Sequence, residues 1–158
     1  MVRAAFNPQN LKTNSYIVAI QDFSFQYKAI ELSTPEITSS IYENRYNSKI
    51  EKRPGSEISL TDITFEFLVD SDMKNYLEIK KWMYLNSFES SQYFKDIYIN
   101  YINDIDGSII FNEKYLECFP SSLSKTSLDN KEGSIMKGTV TFTVNLIEWS
   151  DEDGKYNL

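Results

Sequence analysis

Alternation is the clearest signal in the chain. Between residues 138 and 146, Val140, Phe142, Val144 and Leu146 fall on one face and Thr139, Thr141, Thr143 and Asn145 on the other. That period of two predicts a strand packed on one side and wet on the other. Residues 63–69 repeat the pattern, with Ile63, Phe65, Phe67 and Val69 opposite Thr64 and Glu66. Shorter apolar or alternating runs predict strands at 16–20, 23–31, 96–102 and 113–118. In the second of these, Phe25, Tyr27 and Ala29 share a face.

One stretch has helical spacing. From 73 to 85, Met73, Tyr76, Leu77, Lys80 and Met83 lie on one side, widened by Ile79 and Trp82. Asp70, Ser71 and Asp72 stand where an N-cap and an acidic first turn are expected. Turns are expected at 103–107 and at Arg53-Pro54-Gly55-Ser56. A loop is expected to open at Pro120 and its nearby serines and to run to about Gly133. Residues 40–56 are polar with scattered Ile and Tyr and predict an extended arm. It carries Arg45, Lys49, Lys52 and Arg53, with Glu43 and Glu51 between them. Residues 1–14 read as an N-terminal arm and 149–158 as an acidic tail. With no internal repeat, the whole of 1–158 reads as one domain. It is mainly β, an antiparallel sandwich or rolled barrel with one helix.

Composition narrows the chemistry. The 158 residues suffice for a core without metal or disulfide support. No apolar run is long enough to span a bilayer, and the first residues lack a secretory pattern, so the expectation is a cytoplasmic product that does not insert into membranes by itself. Histidine is absent and Cys118 is the single cysteine. Ser-His-Asp and Cys-His catalysis, imidazole metal sites and Cys-rich zinc sites are therefore excluded. Cys118 lies in an apolar segment and is expected to be a small buried hydrophobe. No phosphate-binding glycine loop occurs. Asp104, Asp106 and Glu113 resemble a fragment of a calcium loop but miss its spacing, so an Asp-Gly turn is the better reading. No catalytic, cofactor or metal residue is assigned. A carboxylate-based enzyme stays open only because acids are plentiful. The formal charge of −7 disfavours gripping nucleic acid and suits a surface that DNA passes without sticking.

The order of elements resembles a known family. The carrying residues are Phe25-Gln26-Tyr27-Lys28-Ala29-Ile30-Glu31-Leu32, Asn44-Arg45, Lys49-Ile50 and Asp62-Ile63-Thr64-Phe65-Glu66-Phe67. They continue through Val69-Asp70-Ser71-Asp72, Lys81-Trp82, Leu116-Glu117-Cys118-Phe119-Pro120-Ser121 and the strand from Thr139 that ends in Glu148-Trp149. Over roughly 23–149 this is similar to the tail tube proteins of T4-like contractile-tailed phages. The resemblance implies hexameric rings whose strands close a barrel around a lumen. The rings would stack inside a sheath, between a baseplate and a tail terminator, and conduct DNA. Such a protein would be assembled in the host cytoplasm and end in the virion tail. It implies that Arg45, Lys49, Lys52 and Arg53 reach a neighbouring subunit, and it makes Thr139, Thr141, Thr143 and Asn145 candidates for the lumen. The alternatives are a tube-initiating or tube-end baseplate protein of the same fold, the tube of a phage-derived injection system, or a monomeric ligand-binding β-barrel.

Overall fold

The computed structural model describes residues 16–23, 26–27, 29–88, 93–103, 105–126, 133, 135–151 and 154–157. The N-terminal arm at 1–14 lies outside them. The elements in chain order are β1 (Tyr16–Ile20), β2 (Gln26–Tyr27), β3 (Ala29–Ser33), β4 (Ile37–Tyr46), β5 (Lys49–Leu60) and β6 (Ile63–Leu68). Then come α1 (Lys74–Phe88), β7 (Lys95–Ile102), β8 (Ile109–Lys125), β9 (Lys137–Thr143), β10 (Leu146–Asp151) and β11 (Gly154–Asn157). Every strand pairing is antiparallel.

The long strand β8 is the spine. Its first part pairs β7 on one edge and β10 on the other, and its last part pairs β9. β7 continues to β1 and β2, and β9 continues to β6 and β3. Since β2 and β3 are separated by one residue, the sheet path returns on itself and rolls into a barrel. The core fills it: Val18, Ile63, Ile97, Ile99, Val140 and Phe142 have no exposed surface, and Phe65 and Phe67 have almost none. These are the inward members of the alternating pattern, buried because a period of two sends every second side chain to one face.

Helix α1 packs over this core. Trp82 sits 5.5 Å from the Phe142 ring and 5.9 Å, edge-on, from Phe23, while its indole N–H donates to the Tyr93 carbonyl at 2.6 Å. The buried stripe is Asn75, Tyr76, Ile79 and Trp82. It is rotated from the sequence expectation: Leu77 and Lys80 face solvent. Asn75 causes the rotation. Its amide donates to the Leu68 carbonyl at 2.8 Å and its oxygen accepts the Asp70 N–H at 3.1 Å, which pulls a polar side chain inward to tie β6 to the helix. Asp72 does serve the helix start, accepting the Lys74 N–H at 3.2 Å.

Three boundaries differ from expectation. Pro120 does not open a loop; β8 runs through it to Lys125, with a register shift between Pro120 and Ser122 that accommodates the missing N–H. The acidic tail at 149–158 is instead the end of β10 and all of β11 among the described residues, with Trp149 opposite both Glu113 and Tyr156. The arm is longer than 40–56: β4 and β5 form a separate two-stranded sheet spanning 37–60. Its turn is Asn47-Ser48, both at positive φ (43° and 67°), the type I′ geometry that suits the twist of a hairpin. Pro54-Gly55 lies within β5 instead, at an irregularity opposite Ser40. The Ser40 hydroxyl accepts the Glu57 N–H at 3.2 Å, and a Cβ on Gly55 would lie 2.0 Å from that oxygen.

A core test follows from Gly138, where a Cβ would lie 2.7 Å from the fully packed Phe67 ring. Gly138→Val is expected to lower stability by about 1–3 kcal/mol, the usual cost of overpacking, as read from urea unfolding midpoints. Asn75→Leu is expected to cost about 1–3 kcal/mol by orphaning the Leu68 carbonyl and the Asp70 N–H.

Candidate assembly surfaces

The hairpin is the first surface. Across it, Ile41, Glu43 and Arg45 pair with Pro54, Lys52 and Ile50, while Tyr42, Asn44 and Tyr46 pair with Arg53, Glu51 and Lys49. Cross-strand partners share a face, so one face is rich in isoleucine and the other in tyrosine. Ile41 is 67% exposed and Tyr46 74%. Among the described residues nothing covers these groups beyond the root, where Glu36 and Thr61 exchange two hydrogen bonds at 2.7 and 3.2 Å. The four basic residues of the arm are all brought here. They divide into two kinds: Lys52 pairs with Glu43 at 3.5 Å and Arg53 with Glu51 at 3.2 Å, whereas Arg45 and Lys49, at the tip, have no ion-pair partner among the described residues.

The second surface is the outer face of β8, β9, β6 and β3. Register places Ser122, Thr141, Thr64 and Ser33 side by side, and Ser124, Thr139, Glu66 and Glu31 in the next row. The Thr64 and Thr141 hydroxyls are 3.0 Å apart, and Lys137 is held by Glu66 at 2.9 Å. The face is therefore hydroxyl-rich with a small excess of carboxylate. Thr139, Thr141 and Thr143 lie on it as expected. Asn145 is exposed but sits in the break between β9 and β10, where its amide donates to the Glu117 carbonyl at 2.8 Å and so holds the kink. Sequence reasoning missed Thr64, Ser33, Ser122 and Ser124, because only strand register brings them beside the threonine row.

This sheet also has two open backbone edges. β7 stops pairing β8 at Cys118, so beyond Phe119 that side of β8 has no strand partner among the described residues. The outer edge of β3 has none either. With four strands alternating in direction, the two edges run antiparallel to each other.

A third site lies at the hairpin root, a cleft of about 250 Å³ lined in part by Pro35, Phe111, Glu113 and Trp149. Glu113 faces inward and its Oε2 accepts from the Tyr115 hydroxyl at 2.5 Å and the Tyr101 hydroxyl at 3.3 Å. Burial first, and the Glu113 charge second, push the Tyr101 phenol up to about 12; burial, and then the hydrogen bond to Glu113, also raise the Tyr115 phenol. Asp106, by contrast, accepts the Ser108 N–H and hydroxyl within a turn closed by Gly107 at φ 71°. The calcium-like acids thus divide between a turn and a cleft, and Asp104 lies outside the described residues. Cys118 is fully buried, and burial, with the nearby Asp96, pushes its thiol up to about 12.

The sequence matches no protein-family model and no curated protein. Solved structures do match. A chain of the sheath–tube complex of an extracellular contractile injection system, PVC, in the extended state, superposes with a TM-score of 0.73 at 22% identity, covering 90% of this chain and 93% of that one. A chain of the anti-feeding prophage cap, which terminates the AFP tube, gives 0.75 at 21% identity over 94% and 95%. Hcp1 from Flavobacterium johnsoniae gives 0.57 at 13% over 90% and 98%. The chain has the tube-protein fold. What is shared with these structures is architecture, and they come from injection systems and Hcp proteins, so the likeness is to tail-tube proteins broadly and not to T4-like phages in particular.

The tyrosines set a pH response. A phenol whose folded pKa is raised stabilises the fold below its unfolded value of about 10, and that contribution is lost as pH rises toward the folded value. Unfolding free energy is expected to be insensitive to these groups up to about pH 9 and to fall between about 10 and 12. The double variant Tyr101→Phe, Tyr115→Phe is expected to flatten that decline in urea titrations.

Proposed function

We propose that this chain is a structural subunit of the inner tube of a contractile injection device, and that it acts by assembly and not by catalysis. One observation carries the reading: a sheet with a buried face, a hydroxyl-rich opposite face and two open edges that run antiparallel. Copies related by rotation can join β3 of one to β8 of the next as an ordinary antiparallel ladder. A closed ring of copies removes every open edge of this sheet. The threonine face then lines the lumen. Six copies per ring, the number implied by the tail-tube resemblance, give a cylinder with four strands from each.

The hairpin supplies the axial contact. It leaves one end of the sheet only, so copies stack head to tail through unlike surfaces, an open-ended arrangement that produces filaments. Arg45 and Lys49 at its tip meet carboxylates of the next ring. The partners are other copies of this chain, a surrounding sheath, a baseplate below and a terminator above. A lumen of hydroxyls and carboxylates lets a polyanion such as DNA slide by repulsion, which suits a phage tail assembled in the host cytoplasm. Passage of a protein cargo in an injection system is compatible with the same face. A second reading, a tube-end or cap protein, is favoured by the likeness to the AFP cap.

Negative-stain microscopy of the concentrated protein is expected to show rings or tubes; a strictly monomeric species under all conditions sinks the proposal. Arg45→Glu with Lys49→Glu is expected to shorten tubes without lowering the melting temperature, since neither residue has an ion-pair partner among the described residues. For the lumen, Thr141→Cys is expected to react with a bulky polymer maleimide in the free subunit and to be protected in tubes. Equal labelling in both states would place this face outside.

A further inference from the structure

We infer that the exposed face of α1 is the docking surface for the sheath, and that the sheath segment meeting it is amphipathic and acidic. This rests on the tube reading above. Leu77, Lys81, Tyr84 and Phe88 recur at intervals of four, three and four residues and so form one line along the helix. Leu77 is 49% exposed, Tyr84 57% and Phe88 75%. The Tyr84 and Phe88 rings lie 4.8 Å apart, a ready-made aromatic pair with no cover among the described residues. Lys80 and Lys81 are exposed beside them and make no ion pair with a described residue.

Charge identifies the partner. Glu78, the one acid of α1, is half-buried, with one carboxylate oxygen sunk against the protein and away from solvent. In a chain of formal charge −7, this stripe is locally cationic and apolar. A second copy, acidic overall, could supply carboxylates, but position argues against it. Trp82 on the packed side of α1 touches Phe142 of β9, and Thr141 and Thr143 project from the opposite face of that strand. The stripe and the threonine face therefore lie on opposite sides of the subunit. With the threonines toward the tube axis, the stripe points outward. Copies in the ring use the edges of β3 and β8, and copies in the stack use the hairpin. The apolar groups of α1 face the place of an outer cylinder. A sheath segment that sets carboxylates against Lys80 and Lys81 and apolar side chains against Tyr84 and Phe88 satisfies both halves of the stripe.

The test uses tubes of the full chain mixed with the sheath protein of the same assembly, followed by co-sedimentation. Two variants are compared with the unaltered chain: Lys80→Glu with Lys81→Glu, and Tyr84→Ala with Phe88→Ala. Each is expected to form tubes of normal yield and to bind sheath roughly tenfold more weakly, the loss typical of removing aromatic anchors or reversing a complementary charge. Normal sheath binding by both variants overturns the inference, as does stronger binding by the charge-reversed one. If folded variants form no tubes, the stripe is a contact between copies and the inference fails while the tube reading stands. If the unaltered chain itself forms no tubes, both fail.

Discussion

An antiparallel sheet that is packed on one face and wet on the other still has to end, and its ends are backbone. In this chain the end falls in the middle of β8. The strand has β7 on one side as far as Cys118, with β10 on the other at 113–116, then takes β9 on that other side and loses β7. In the other half β2 pairs β1 and β3 pairs β6, and the outer edge of β3 has no strand partner among the described residues. Unpaired N–H and C=O groups along a strand are templates for pairing. Among the described residues no helix covers these two edges, since α1 packs on the core side of the sheet. The polar rows, the antiparallel relation of the edges and the position of the helix all follow from where β8 loses its partner.

The hairpin is the complementary case. It satisfies its own backbone bonds and leaves its side chains unsatisfied. A two-stranded sheet is marginal in water, and this one exposes isoleucines on one face and tyrosines on the other. Its geometry is fixed at three places: the type I′ turn at Asn47-Ser48, the Ser40–Glu57 hydrogen bond beside Gly55, and the Glu36–Thr61 pair at the root. Such local definition without burial is what a rigid projecting element requires. The ordering cost of its backbone is met within the chain, and apolar surface is left for another contact.

Periodicity revealed the parts of the fold that obey it. The alternating runs around Phe65 and Phe142 are strands, with Ile63, Phe65, Phe67, Val140, Phe142 and Val144 inward as predicted, and the helix is where its spacing put it; Leu146, also predicted inward, is exposed because the break at Asn145 shifts the alternation and buries Ile147 in its place. What periodicity could not see was context. Leu77 and Lys80 were assigned to the packed stripe because apolar residues nearby outvote a single asparagine, yet Asn75 makes two buried hydrogen bonds and turns the helix. Pro120 signals a break in isolation, but a register shift lets a strand carry it. Trp149 stands among acids that suggest a tail, and it is the inward position of β10. The threonine row was legible as a polar face; that Ser33, Thr64 and Ser122 extend it across four strands depends on long-range register, which no local window contains. The arm was legible as polar and extended, while its ion pairs depend on the strand geometry: Lys52 meets Glu43 across the hairpin, and Arg53 meets Glu51 two residues along the same strand.

The lateral and axial contacts of the proposed tube differ in kind, and this bears on how such a device holds together while it is driven forward. Joining β3 to β8 is a ladder of backbone hydrogen bonds, which is insensitive to side-chain chemistry and to salt. Seating the hairpin would depend on exposed isoleucine and tyrosine and on two cations that have no ion-pair partner among the described residues, so it would be softer and screened by ions. Rings of this protein would therefore be stiffer than the joints between them. In the proposed tube, axial load would compress those joints and drive the hairpin further onto its neighbour. A projecting element with its turn, its bend and its root each fixed by hydrogen bonds transmits that load without refolding.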